Sequence, residues 1–497
     1  MAVQTREQAV VDRVDKQLYI GGQWREPRSG RRLPVEDPAT GEVLCEVADA
    51  GPEDGMAALD AAVAAQEEWA QHPPRQRGEV LRRAFEMITD RQEDLALLMT
   101  LEMGKPLPEA RAEIAYAAEF FRWFAEEAVR IDGRYAVAPD GKGRMLVMRQ
   151  PVGPCLMITP WNFPLAMGTR KIGPAVAAGC SIVIKPAAET PLSMLALARI
   201  LEECGLPAGV LNLITTSEAG PVMEPLIKDG RARKLSFTGS TEVGRMLMAQ
   251  ASDQLLRISL ELGGNAPFII FDDADLDSAV EGAVLAKMRN IGEACTAANR
   301  FHVAAGVADR FAEKLAGRLS AMKIGRGTEE GVQVGPLING ETRDKVSELV
   351  QDALGRGARA VVGARPLDGA GYFYQPTVLD DVPRDARMLK EEIFGPVAPI
   401  ITFSSDQEAV ALANGTDYGL STGIYTADLE HGRRLADQVR SGLVHIGDQT
   451  VADDPAVPFG GNGASGNGAR FGGPANLEEF LVWQWRTERA EPATYPF

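Results

Sequence analysis

Histidine and cysteine are scarce in this chain, with four of the first and five of the second among 497 residues. Cys45, Cys155, Cys180, Cys204 and Cys295 are odd in number, widely scattered and without a C-x-x-C pair, so neither a zinc ribbon nor a redox disulfide is indicated. His72, His302, His431 and His445 also lack ligand spacing, and no metal site is expected. Positive charge is in deficit. Lys and Arg number 52 against 69 Asp and Glu, a net charge of −17 that opposes the dense cationic footprint of a nucleic-acid binder. No apolar run is long enough to span a bilayer, and residues 1–14 lack a signal-peptide core and a small-residue cleavage site. A cytoplasmic protein with no nucleic-acid or membrane partner is therefore expected.

What is present is an ordinary folded balance, 45% apolar and 24% charged, in a chain too long for one core. Two or three units sharing a cleft are expected. Residues 18–50 mix short β runs with turn signals and read as a hairpin; residues 53–130 turn helical, through 56–69, 77–89 and 109–130. Residues 135–150 alternate like an exposed hairpin. Strand-loop-helix units then recur around Cys155-Leu156-Met157-Ile158, Ser181-Ile182-Val183-Ile184, Leu211-Asn212-Leu213-Ile214 and Lys234-Leu235-Ser236-Phe237, the rhythm of a doubly wound parallel sheet that binds a nucleotide. A second α/β unit starts near Asn265 and runs to about Val444, with strands at 267–271, 358–362 and 397–403. The fold class is α/β. In the glycine-rich 459–473 stretch, Gly461-Asn462-Gly463-Ala464-Ser465-Gly466 fits G-x-G-x-x-G, but no strand-turn-helix surrounds it and a flexible loop is expected.

Two groups carry acyl chemistry: Glu261 in Leu260-Glu261-Leu262-Gly263-Gly264-Asn265, and Cys295 in Asn290-Ile291-Gly292-Glu293-Ala294-Cys295-Thr296-Ala297. A thiolate adds to an aldehyde carbon and, after hydride loss, holds the acyl group as a thioester that carboxylate-activated water releases. Asn162, in Ile158-Thr159-Pro160-Trp161-Asn162-Phe163-Pro164, suits an oxyanion donor, worth on the order of 3 kcal/mol with the backbone N–H of Cys295. A plain turn asparagine is the alternative. Lys185 ends a strand where an ammonium reaches ribose hydroxyls or phosphate, unless it is only a solvated charge. In Phe237-Thr238-Gly239-Ser240-Thr241-Glu242-Val243-Gly244, Gly239 allows close backbone approach and Ser240 caps a helix facing a pyrophosphate. A capped turn without ligand explains those residues almost as well.

Several separated motifs agree, and residues 18–485 resemble the aldehyde dehydrogenase superfamily. The matches are Pro160-Trp161-Asn162-Phe163-Pro164, Lys185-Pro186, Phe237-Thr238-Gly239-Ser240-Thr241, Glu261-Leu262-Gly263-Gly264, Cys295, Glu391-Glu392-Ile393-Phe394-Gly395-Pro396 and Pro458-Phe459-Gly460-Gly461. The resemblance implies Cys295 as nucleophile, Glu261 as base and Asn162 as oxyanion donor, with NAD or NADP as cofactor and a small-molecule aldehyde as substrate. It further implies that Lys185 holds the adenosine ribose, that Trp161, Gly239, Ser240, Gly244 and Leu262 line the cofactor cleft, and that Glu392 and Phe394 position the nicotinamide end. A homodimer or homotetramer follows from the same likeness. The implied division is a dinucleotide domain at 10–130 and 150–262, a catalytic domain at 263–450, and a β oligomerisation arm at 131–149 and 451–490.

Met167-Gly168-Thr169-Arg170-Lys171-Ile172-Gly173 and Lys287-Met288-Arg289-Asn290 are most similar to succinate-semialdehyde dehydrogenases, which implies that Arg170 and Arg289 bind a distal substrate carboxylate. Structural ion-pair arginines are the alternative. The run around Asp453 and Asp454, with residues 463–473, looks more like benzaldehyde and vanillin dehydrogenases; either aspartate at the substrate entrance would repel an anion. Glu293 replaces a common glutamine and is expected to face away from Cys295, whose pKa it would otherwise raise. Ala188, where NAD-preferring relatives often carry a glutamate, leaves room for NADP, with Glu189 as a partial substitute and dual cofactor use expected. Rival readings are an aromatic-aldehyde dehydrogenase, a cysteine acyl hydrolase served by His302 or another histidine, and a non-catalytic protein that kept the fold.

Overall fold

The computed structural model describes residues 5–492 and 494–495; of the 1–14 stretch read for a leader, residues 1–4 lie outside the described residues. The first of two seven-stranded sheets runs in the order Arg257–Glu261, Lys234–Thr238, Cys155–Ile158, Ile182–Lys185, Leu211–Leu213, Leu18–Ile20, Gln23–Arg25. Its first five strands are parallel, and the last two form an antiparallel hairpin on its edge. Helices such as Ala166–Ala178 and Thr241–Ser252 link the parallel strands and bury them, which is why these strands read as unbroken apolar runs rather than as alternation.

The register sets Ile158 beside Lys185 and Thr238 beside Glu261. The carboxyl ends of four neighbouring strands therefore present Trp161-Asn162, Lys185, Thr238-Gly239-Ser240 and Glu261 along one edge, where open α/β sheets gather ligands. Ser240 caps Thr241–Ser252 by accepting from Val243 N–H at 3.3 Å.

The second sheet runs Arg359–Val362, Thr377–Asp380, Val397–Phe403, Ala298–Ala304, Ala266–Ile270, Ser421–Tyr425, Leu443–Ile446, parallel except for the first strand. Ala298–Ala304 escapes an apolar-run reading because it carries Asn299, Arg300 and His302, all buried. Arg300 satisfies itself on carbonyls of Asn265, Leu412 and Ala413, so a buried guanidinium replaces the apolar residue that the pattern requires. Leu262 to Asn265 carry the chain from one sheet to the other. A Cβ on Gly264 would overlap the Cys295 carbonyl, so glycine is what lets this link pass against the cysteine loop.

A third, three-stranded antiparallel sheet joins Leu481–Glu488, Arg144–Pro151 and Arg134–Val137 and carries exposed Tyr135, Trp483 and Trp485. Of the 451–490 stretch expected in an arm, only these last residues pair there. Val451, Asp453 and Phe459 turn back to the cleft. The expected flexible loop is also corrected: Asn462–Gly463 pairs with Tyr418–Gly419, the Ser465 carbonyl accepts from Leu262 N–H (3.0 Å), and Asn467 accepts from Leu260 N–H (2.9 Å). Its glycines serve close backbone packing, since a Cβ on Gly466 would lie 2.8 Å from the Leu260 carbonyl. No helix among the described residues is long and apolar enough to cross a membrane.

Candidate active site

A buried ion pair fixes the loop that carries Asn162. Lys105 Nζ donates to the Asn162 carbonyl at 2.8 Å and pairs with Glu113. The second Glu113 oxygen accepts from Leu165 and Ala166 N–H at 3.1 and 3.2 Å, placing a carboxylate on the N-terminus of Ala166–Ala178, where the helix dipole favours it. Removing one partner of such a buried pair costs about 3–5 kcal/mol. The loop is therefore held rigidly. Asn162 Oδ1 accepts from Phe163 N–H (3.1 Å), and Nδ2 donates to the Glu293 carbonyl (3.0 Å). An amide nitrogen has two N–H groups, so one is left for the cavity that Asn162 lines.

On the other wall, Asn290 (φ 54°) and Ile291 (φ 61°) are both left-handed, a conformation that costs about 1–3 kcal/mol per residue and falls hardest on β-branched isoleucine. The strain is held by Asn290, whose N–H reaches Glu109 (2.5 Å) and whose amide bridges the carbonyls of Asn162 (3.0 Å) and Glu293 (2.8 Å). The asparagine and cysteine loops are thereby locked together. The Glu293 carboxyl accepts from Ile338 N–H at 3.0 Å, away from the cavity lining, and burial pushes its pKa well up. Glu293 is not among the charges that act on the Cys295 thiol. Cys295 lines the cavity, and burial together with the charges of Glu261 and Glu392 pushes its thiol pKa well up. In the free protein the group is a thiol whose proton must be taken by a base.

The cavity, of about 280 Å³, gathers Trp161, Asn162, Arg170, Gly239, Ser240, Glu261, Leu262, Arg289, Cys295, Glu392 and Phe394 from the sequence-derived set. Lys185, Ala188 and Gly244 lie outside its lining. A Cβ on Gly244 would overlap Leu262, so this glycine seats the helix against the cleft rather than facing it. Sequence reasoning missed Tyr116, Thr238, Phe163, Lys105, Glu113 and Asn290. Of these, Phe163, Thr238 and Asn290 sat inside motifs already singled out, whereas Tyr116 lies in a plain amphipathic helix, Leu107–Glu127, and carried no local signal.

Glu261 is fully enclosed and doubly held: Arg170 Nη1 donates to Oε1 at 2.8 Å, and Thr238 Oγ1 donates to Oε2 at 2.9 Å. The other Arg170 amino group meets Asp453 and the Tyr116 hydroxyl, and Tyr116 also donates to Asp453. Arg170, 1% exposed, thus lies between two protein carboxylates, Glu261 and Asp453, while still lining the cavity. Arg289 donates to the Val451 carbonyl (2.6 Å), lies over the Phe163 ring, and forms no ion pair among the described residues.

The cofactor side fits a nicotinamide dinucleotide. Ser240 and Gly239 bring a helix N-terminus to the cavity, a ready anion site. The Lys185 ammonium makes no hydrogen bond or ion pair among the described residues, and burial lowers its pKa against the opposing charge of Glu189, so its N–H groups are available to ribose hydroxyls or a phosphate. Glu392, raised to about 7 by burial, accepts from Gly264 N–H (2.8 Å) with Oε1, leaving Oε2 for a ribose hydroxyl. The Trp161 and Phe394 rings meet edge to face at 5.3 Å. His302 lies in the core of the second sheet with both ring nitrogens unpartnered, its pKa well lowered by burial, and no histidine lines the cavity. A histidine-served hydrolase has no base here.

Thiol, carboxylate and amide donor at the edge of a dinucleotide sheet define the class, an oxidoreductase that captures its aldehyde on sulfur. The particular family follows from comparison with known proteins: the chain belongs to the aldehyde dehydrogenase family, which matches residues 24–486, and it oxidises aldehydes with NAD or NADP. It is 56% identical over 443 residues to a succinate-semialdehyde dehydrogenase of Paenarthrobacter nicotinovorans, covering 89% of this chain and 98% of the relative. The succinate-semialdehyde dehydrogenase [NADP(+)] of Escherichia coli is 47% identical over 466 residues, 94% of this chain and 96% of that one. Among solved structures, betaine aldehyde dehydrogenase of Staphylococcus aureus in complex with NAD+ superposes with a TM-score of 0.96 at 33% identity, covering 99% of both chains.

Proposed function

We propose that the substrate is an aldehyde with a carboxylate at its far end, succinate semialdehyde being the leading member, and that Arg289 reads that carboxylate. The observation that carries this is a half-buried guanidinium in the cavity wall that pairs with no protein carboxylate among the described residues. The two succinate-semialdehyde relatives support it. Phe163, Met167, Val451 and Phe459 supply apolar walls for the methylene chain.

Cys295 Sγ, its proton lost to solvent, adds as the thiolate to the aldehyde carbon, while the free Asn162 N–H and the Cys295 backbone N–H take the charge on oxygen. A bound nicotinamide dinucleotide supplies the hydride acceptor. The thioester left on Cys295 is then attacked by water whose proton Glu261 accepts, and the acid departs. The enclosure of Glu261, with Arg170 and Thr238 on its oxygens, fixes where that proton goes.

Arg289→Ala removes one charged anchor, worth about 1.5–3 kcal/mol, so kcat/KM for succinate semialdehyde is expected to fall about 10- to 100-fold, mostly through KM, while butanal changes little. Equal losses for both aldehydes would reject the assignment. Run with NAD and with NADP, the comparison is expected to give turnover with each, since Ala188 leaves room for a 2′-phosphate while the Glu189 charge, felt at Lys185, partly substitutes for the missing glutamate; use of one alone would contradict dual specificity.

We further propose a cytoplasmic homodimer or homotetramer, in which the three-stranded sheet covers its exposed Tyr135, Trp483 and Trp485 on a second copy. Light scattering on enzyme from the cytoplasmic fraction is expected to return the mass of two or four chains. A monomer whose mass is unchanged by Trp485→Asp would refute this.

A further inference from the structure

We propose that Asp453 is a specificity-determining residue: its carboxylate occupies the Arg170 guanidinium that a substrate carboxylate would otherwise share with Arg289. The inference rests on the carboxylated-substrate reading above.

Arg170 and Asp453 are 283 residues apart in the chain, yet one Asp453 oxygen takes both the Arg170 amino group and the Tyr116 hydroxyl. The opposite Arg170 amino group is held by Glu261 at 2.8 Å. Aromatic faces close the remaining directions, with the guanidinium 4.4 Å from the Phe459 ring centroid and 5.1 Å from that of Phe120. The cluster therefore contains one cation between two carboxylates. An incoming carboxylate finds the Arg170 Nη2 group already taken by Tyr116 and Asp453, Nη1 held by Glu261, Nε buried, and a like charge at Asp453, so both attraction and geometry direct it to Arg289. Asp453 lines the cavity, so its charge acts on the substrate directly as well as through Arg170.

The arrangement weakens the grip on an anionic substrate and tolerates an uncharged one. It also leaves Glu261 paired with Arg170 whatever the substrate carries. Replacing Asp453 with a neutral side chain should free one Nη2 N–H of Arg170 toward the cavity, while Tyr116 keeps its contact with that amino group and Glu261 holds the other.

The test is a comparison of kcat and KM for succinate semialdehyde and butanal in the full-length enzyme and in Asp453→Asn, Asp453→Ser and Asp453→Glu. Asp453→Asn and Asp453→Ser are expected to lower KM for succinate semialdehyde about tenfold relative to KM for butanal in the same variant, the effect of one added charge-assisted contact. Asp453→Glu keeps the charge and should retain the parent preference. An unchanged or raised semialdehyde KM relative to that for butanal in both neutral variants overturns the proposal, as does an equal fall in kcat for both aldehydes, which would mark Asp453 as support for Glu261 instead. If one neutral variant fails to fold, the other decides. Failure of the carboxylated-substrate reading shows separately, in the parent enzyme, as equal kcat/KM for the two aldehydes.

Discussion

Cys295→Ala is expected to abolish aldehyde oxidation, with a loss on the order of 10⁶-fold in kcat, while NAD and NADP still bind within about threefold of the parent affinity. The magnitude follows from the lack of a second thiol in the cavity lining. Cys155, Cys180 and Cys204 are buried in the first core, and Cys45 sits in the Glu42–Ala48 strand with its thiol pushed up to about 11 by burial. None lines the cavity with Glu261. Binding survives because the groups fitted to the dinucleotide (Ser240, Lys185 and Glu392) hang from other elements and take no support from the Cys295 side chain. Stopped-flow absorbance of NAD(P)H and fluorescence titration of the cofactor read the two quantities. Turnover above about 1% of the parent would remove Cys295 as the nucleophile.

Glu261→Gln is the second large effect. A general base contributes about 10²- to 10⁴-fold, so steady-state turnover should fall about 10³-fold. Glutamine keeps the shape and can still meet Thr238 Oγ1, but it has no carboxylate to accept a proton from water. If deacylation is what Glu261 serves, the first turnover still yields about one equivalent of NAD(P)H per active chain before the rate collapses, because a thioester accumulates on sulfur. If Glu261 is needed only to deprotonate the thiol, whose pKa is raised by burial and by Glu261 itself, the burst disappears and raising the pH restores it. Loss of the Glu261 charge also leaves Arg170 with Asp453 alone as a counter-ion, so thermal stability is to be measured beside the rate.

Much of the site was readable before the fold because its groups sit beside residues with backbone duties. Cys295 follows the strained Asn290-Ile291-Gly292 turn, Glu261 precedes Gly263-Gly264, and Asn162 lies between two prolines. The central strands Cys155–Ile158 and Ile182–Lys185 of the first sheet were readable because both faces are covered and their residues are almost all apolar. Ala298–Ala304 was not, since Asn299, Arg300 and His302 interrupt its apolar run and Arg300 is satisfied by carbonyls that only the tertiary fold supplies. The same limit hid Lys105 behind Asn162, 57 residues away, and joined Arg170 to Asp453 where sequence pattern left both facing a substrate. The 461–466 glycines looked like freedom and are close packing instead; a glycine-rich segment announces a missing Cβ and is silent about what fills the space.

The most direct test of acyl transfer through Cys295 is peptide mass mapping of Glu261→Gln enzyme quenched after one turnover with succinate semialdehyde and NAD or NADP. A succinyl group on the peptide carrying Cys295, in amount equal to the NAD(P)H formed, is the predicted result. NAD(P)H without that adduct, or an adduct on Cys45, Cys155, Cys180 or Cys204, would contradict it.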